Sequence, residues 1–263
     1  MNTNLQGKVV LITGGSKGIG RAIAEACAAE GALLALCARD DQELKHTADE
    51  IQLHTKTDVL AVKANMTKLN DVRRFVAAAM KKFGRIDVLI NNAGGAHVGG
   101  IMNTTDEEWE YHLQLKLLGY IRMAREVVPH MKAAGGGRIV NVVGMTAREP
   151  SGLLMVPGVL SAALLNFTKS ISKEFQADHI FVNAVNPAST ETGLLREMIT
   201  KMSQMTGKTE EEERQLLRSV ASRGGFLAGE DIAKVVVFLA SDAAGCVNGI
   251  SIDVDAGQTA GVW

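Results

Sequence analysis

A chain of 263 residues, 46% hydrophobic and 22% charged, can bury a large core, and its length allows one or two domains. A net charge of -1 gives no electrostatic case for nucleic acid or an anionic membrane surface as partner. No apolar run reaches the length of a membrane span and residues 1–7 hold no signal core, so a cytoplasmic location is expected.

From the amino end, Val9-Val10-Leu11-Ile12 reads as a strand that enters the turn Thr13-Gly14-Gly15-Ser16-Lys17-Gly18-Ile19-Gly20. An amphipathic helix follows over 21–30. Gly14 permits a tight turn, and Gly18 and Gly20 allow close approach of a ligand and of neighbouring backbone. The N–H groups at the helix start would then seat a pyrophosphate. Glycines between a strand and a helix are the context this motif requires.

Strand-like and helical patterns alternate from there: a strand over 33–39, a charged helix over 40–53, a strand over 58–65 and a helix over 68–83. Ile86 to Ile90 is a strand running into Asn91-Asn92-Ala93-Gly94. A long helix over 106–134, a strand over 138–143, a second long helix over 158–176 and a strand over 180–185 come next. A helix over 230–241 and a strand over 250–254 close the series. Apolar strands spaced by helices imply a doubly wound parallel sheet of about seven strands with helices on both faces. No linker divides it, so residues 1–263 are expected to form a single domain. Cys27, Cys37 and Cys246 are scattered in apolar runs and read as small buried hydrophobes.

The stretch 190–223 breaks the rhythm with Met198, Met202 and Met205, then Glu210 to Glu213, then Leu216 and Leu217. Its place beyond the carboxyl end of a strand suits a helical lid over a small apolar substrate. A surface helical pair fits the same pattern, and the acidic run reads as a solvated face.

The glycine turn, Asn91-Asn92-Ala93-Gly94, the seven strand-like runs and the tail Asp253-Val254-Asp255-Ala256-Gly257 together resemble the short-chain dehydrogenase/reductase family, over residues 5–257. The resemblance implies a Rossmann-type sheet, a nicotinamide dinucleotide, and a homodimer or homotetramer built on the two long helices. The cofactor-binding residues it implies are Gly14, Ser16, Lys17, Gly18, Ile19, Gly20, Arg39, Asn65, Asn91, Ala93, Gly94, Pro187 and Thr192. Lys17 and Arg39, with no carboxylate at Ala38 or Arg39 to hold a ribose 2′-hydroxyl, suit a 2′-phosphate and so NADP(H). Asn65 replaces the usual aspartate near the adenine, and Ala188 the usual glycine after Pro187.

The family's catalytic asparagine, serine, tyrosine and lysine align with Lys116, Gly144, Pro157 and Ser161. Tyr111 and Tyr120 both lie on the earlier helix, too far away to restore the match. A proton would then come from Lys116, His97, His112 or water. The stem of Lys116 can reach the space that Ser161 leaves, where desolvation would lower its pKa; otherwise it extends to solvent. Lys116, His97 and Ser161 are the candidate catalytic residues. His46, His54, His130 and His179 form no metal-ligand spacing, and no metal is expected. The reading is an NADP(H)-dependent oxidoreductase of an apolar carbonyl or hydroxyl compound, with a non-standard site. The alternatives are a non-redox enzyme (isomerase, lyase or hydrolase) and an inactive binding or regulatory protein.

Overall fold

Successive residues of the first strand, β1 (Val9–Thr13), point to opposite faces of a sheet, and both faces are covered. Val10 and Ile12 enter one apolar cluster, Val9 and Leu11 the other. That is why the strand reads as a continuous apolar run. The computed structural model describes residues 2–221 and 225–260; Ser222 and Arg223, the end of the expected lid stretch, lie outside the described residues.

The chain continues through α1 (Gly18–Ala29), β2 (Leu33–Ala38), α2 (Asp41–Thr55), β3 (Val59–Lys63), α3 (Leu69–Phe83), β4 (Val88–Asn91) and α4 (Asp106–His112). After a π turn (Leu113–Leu117) come α5 (Leu118–Ala133), β5 (Gly137–Val142), α6 (Met155–Glu174), β6 (Ile180–Pro187), α7 (Gly193–Thr206), α8 (Glu210–Ser219), α9 (Gly229–Ala240) and β7 (Ser251–Val254). The seven strands form one sheet, all pairs parallel, in the order β3-β2-β1-β4-β5-β6-β7. Helices α1, α2 and α9 pack on one face, and α3, α5 and α6 on the other. This is the single-domain Rossmann-type architecture expected from the sequence. Its strand order reverses between β1 and β4, so the ligand cleft of such a sheet opens at their carboxyl ends.

Three local expectations change. The long helix over 106–134 is interrupted by the π turn, which gives Leu113–Leu117 one extra residue per turn and re-aims the side chains after it. Cys246 is exposed, whereas Cys27 and Cys37 are buried, their thiols pushed up to about 12 by loss of water. Glu213 leaves the solvated acidic face: it is buried and accepts from Thr206 Oγ1 at 2.6 Å, which ties α8 to α7. Sequence cannot reveal this, because the partner lies on the preceding helix, beyond the turn that joins the two.

Candidate active site

The carboxyl ends of β1 and β4 are bound together by side chains. Thr13 Oγ1 accepts from the N–H groups of Asn92 and Ala93, each at 3.0 Å. Asn92 Nδ2 donates to the carbonyls of Thr13 at 3.0 Å and Gly14 at 3.1 Å. Gly14 sits at φ +68°, in the left-handed region. A Cβ on Gly20 would lie 2.1 Å from the Gly14 carbonyl oxygen and 2.4 Å from Asn92 Nδ2, so only glycine fits there. Gly20→Ala is therefore expected to destabilise the protein by about 3 kcal/mol, because the atom it strikes is backbone and cannot yield. Urea unfolding measures this, and an unchanged midpoint would refute the crowding.

The expected cofactor residues are placed as follows. Lys17 occupies the N-cap position of α1 without a side-chain capping bond, and Gly18 and Ile19 open its first turn. A Cβ on Gly18 would stand 3.2 Å from Thr192 Cγ2, so Thr192, the cap of α7, faces the glycine turn. Pro187 ends β6, and Ala188 continues the pairing by donating its N–H to Val254 O at 3.0 Å. Asn91 is buried and donates through Nδ2 to Asn141 Oδ1 at 2.9 Å, in a chain that runs on to Thr168. Asn65 Oδ1 accepts from Thr67 N–H and its hydroxyl, both at 3.0 Å, which closes the turn after β3. Gly94 has room for a side chain, its nearest neighbour being 3.8 Å away, so space does not explain glycine there.

A carboxylate that strand-end reading missed also enters. Glu43, in the first turn of α2, accepts from Ser16 Oγ at 3.1 Å and lies 3.8 Å from Lys17 Nζ. Arg39 instead turns to α4, donating from Nη1 to the Tyr111 hydroxyl at 2.6 Å. Neither contact has a short-range signal, since the Arg39–Tyr111 pair spans 72 residues.

The candidate catalytic residues fall into two groups. Lys116, on the π turn, donates from Nζ to Val143 O at 2.5 Å and to Ser161 Oγ at 3.2 Å. The residue is half-buried overall, yet loss of water around the ammonium lowers its pKa to about 8. Ser161 is fully buried. Pro157 lies in the first turn of α6, where its missing N–H costs nothing. Gly144, just past β5, has φ +131°, a conformation that side-chain-bearing residues rarely adopt, and is open towards Ser161 Oγ and Thr146 Oγ1. Tyr120 is buried, donates to Val142 O at 2.8 Å, and has its pKa raised by that burial.

His97 belongs to the second group. It is buried, with Nδ1 unpartnered among the described residues and Nε2 3.7 Å from Glu108 Oε2. Its ring meets His112 edge-on at 5.2 Å, and His112 meets Tyr111 in the same way at 5.1 Å. Burial pushes His112 down to about 4. The loop carrying His97 is tied to the loop before α6, Gly99 N–H donating to Leu153 O at 2.9 Å. Among the described residues no group of three or more His, Cys, Asp or Glu could hold a metal, and no helix is long and apolar enough to cross a membrane.

A doubly wound parallel sheet with a glycine turn at its switch point defines a protein of the Rossmann class. Comparison with known proteins narrows this. The sequence model of the family described as short chain dehydrogenase matches residues 8–203. The 3-oxoacyl-[acyl-carrier-protein] reductase FabG of Thermotoga maritima is 33% identical over 96% of this chain and 98% of its own. The human dehydrogenase/reductase SDR family member 4 is 33% identical over 96% and 88%. The structure of L-sorbose reductase from Gluconobacter frateurii, complexed with NADPH and L-sorbose, superposes with a TM-score of 0.92 at 33% identity, covering both chains completely. The chain belongs to the short-chain dehydrogenase family.

Proposed function

We propose that this protein is an NADP(H)-dependent oxidoreductase of the cytoplasm acting on a small apolar carbonyl or hydroxyl compound, with Lys116 in place of the family's usual proton relay. The observation that carries this reading is the ammonium of Lys116 at 3.2 Å from Ser161 Oγ, on the position where the family keeps its lysine. The four family positions are then Lys116, Gly144, Pro157 and Ser161, and the cation has moved from α6 to the π turn.

A nicotinamide dinucleotide fits the residues present, since α1 opens at the glycine turn with no side chain capping its first N–H groups. When bound, that group supplies or accepts a hydride. Gly18, Ile19 and Gly20 turn N–H groups towards its pyrophosphate. Lys17 and Arg39 serve the 2′-phosphate, Ser16, Asn65, Ala93 and Gly94 the adenosine, and Asn91, Pro187 and Thr192 the nicotinamide end. Two of the three Lys116 N–H groups are engaged with Val143 O and Ser161 Oγ, which leaves one to meet a ribose hydroxyl or donate a proton to the substrate oxygen. Its pKa of about 8 lies close enough to neutrality for general acid work. His97 stands as a second donor on the substrate side. The helices α7 and α8 are the lid, and a homodimer or homotetramer is the assembly. A hydrolytic alternative would need Ser161 as nucleophile, and its full burial disfavours that.

Titration calorimetry with NADP+ and NAD+ tests the cofactor, and NADPH oxidation against aldehydes, ketones and quinones tests the reaction. A charge-assisted contact to the phosphate is worth about 1.5–3 kcal/mol, so NADP+ should bind roughly tenfold or more tightly, and Arg39→Ala should erase most of that difference. Equal affinities would overturn the cofactor reading. No NADPH oxidation with any member of the panel would leave the binding protein as the better account.

A further inference from the structure

We propose that Tyr111 is a positioning residue for NADP(H) selectivity: its hydroxyl holds the Arg39 guanidinium in place and itself donates to the cofactor's 2′-phosphate. The proposal rests on the NADP(H) reading above and adds α4 to the residues that enforce it. Three observations carry it.

First, the two cations expected at the adenosine end are held differently. Lys17 Nζ lies 3.8 Å from Glu43, so part of its charge is answered within the protein. Among the described residues Arg39 forms no ion pair within 4 Å, and its side chain is held by the phenol of Tyr111 at 2.6 Å. Second, the chemistry of that partner matters. A carboxylate there would fix the guanidinium equally well but would repel an incoming phosphate. A phenol accepts from Arg39 without neutralising it, and its own O–H remains free to donate to a phosphate oxygen. Third, the phenol is braced. Its ring meets His112 edge-on at 5.1 Å, and His112 is buried and in turn meets His97 at 5.2 Å. A Cβ on Gly95 would lie 3.3 Å from His112 Cε1, so the segment after β4 also closes on this ring. Tyr111 is nevertheless 40% exposed and open to a ligand.

A long arginine tethered to a braced ring loses less rotamer freedom on binding than one moving in solvent, which favours the phosphorylated cofactor selectively. NAD(H), which lacks the phosphate, gains nothing from the tether. The residue thus acts on selectivity rather than on dinucleotide binding in general.

The test is titration calorimetry of NADP+ and NAD+ with the wild-type protein, Tyr111→Phe and Arg39→Ala, with thermal unfolding of each as a check on folding. Tyr111→Phe keeps the ring against His112 and deletes only the hydroxyl. The expected result is roughly threefold to tenfold weaker NADP+ binding with NAD+ binding unchanged. Unchanged NADP+ binding in Tyr111→Phe, alongside loss of selectivity in Arg39→Ala, would overturn the proposal and leave the cofactor reading intact. Equal weakening of both cofactors would overturn it by making Tyr111 a structural residue. A wild-type protein with no preference for NADP+ would overturn the cofactor reading, and this proposal with it.

Discussion

Lys116→Met is expected to compare better in stability with the wild type at pH 7 than at pH 10, and to remove the proposed activity. The ammonium carries a pKa lowered from 10.5 to about 8 by burial, so the folded state binds that proton less well than the unfolded chain does. A depressed lysine pKa is a cost below the folded value, and the cost disappears as pH rises from about 8 to the unfolded value. The wild type should therefore gain stability across that window, and Met, which keeps most of the stem and drops the charge, should not. The burial cost is about 3 kcal/mol, comparable to what two hydrogen bonds from a charged donor contribute, so the variant should lie close to wild type at pH 7 and fall about 2 kcal/mol below it by pH 10. Urea unfolding at pH 7 and pH 10 measures both ends, and a variant less stable at pH 7 than at pH 10 relative to wild type contradicts the sign. In the same variant NADPH-dependent turnover should fall by roughly 10²–10⁴, the usual worth of general acid–base help. With the protonated ammonium as the proposed donor, wild-type reduction should itself decline as pH rises through about 8. Unchanged turnover in Lys116→Met would remove the relocated cation from the mechanism.

The second large effect concerns rebuilding the usual site. Gly144→Ser, Pro157→Tyr and Ser161→Lys would put serine, tyrosine and lysine at the proposed catalytic positions, yet this triple variant is expected to stay at the wild-type level with simple ketones. Lys116 Nζ already lies 3.2 Å from Ser161 Oγ, so a lysine introduced at 161 would set two ammonium groups against each other. Adding Lys116→Asn removes the conflict and restores the remaining family residue. The quadruple variant should therefore exceed the triple by at least tenfold, within the roughly 10²–10⁴ that a proton donor supplies. The φ of +131° at Gly144 limits the gain, because serine must shift the backbone after β5 to fit. NADPH oxidation with ethyl acetoacetate compares the two variants. A triple variant as active as the quadruple would mean that the two cations do not compete.

The stretch 190–223 was only partly legible. The sequence pattern located helices within 190–223, and α7 and α8 lie there. What it missed was how they are fastened. Glu191 accepts from Arg214 and lies 3.8 Å from Arg196 Nε, and the Arg214 and Arg218 guanidinium groups lie over the Phe226 ring at 5.0 and 5.6 Å. Each of these contacts joins residues whose separation follows no short period.

The sequence by itself determined the sheet and its seven strands. Those follow from signals local in the chain: apolar strands buried on both faces, helical periodicity between them, and glycines at φ values or close approaches that other residues resist. Where the side chains meet was decided only in three dimensions. The π turn sets the direction of Lys116 towards Ser161 on another helix; Glu43 reaches Lys17 from α2, and Tyr111 reaches Arg39 from α4. The physical reason is that backbone conformation responds to neighbours within a few residues, whereas the charge and hydrogen bonding of a site depend on groups that the crossovers of the sheet bring together from 26 to 72 positions apart.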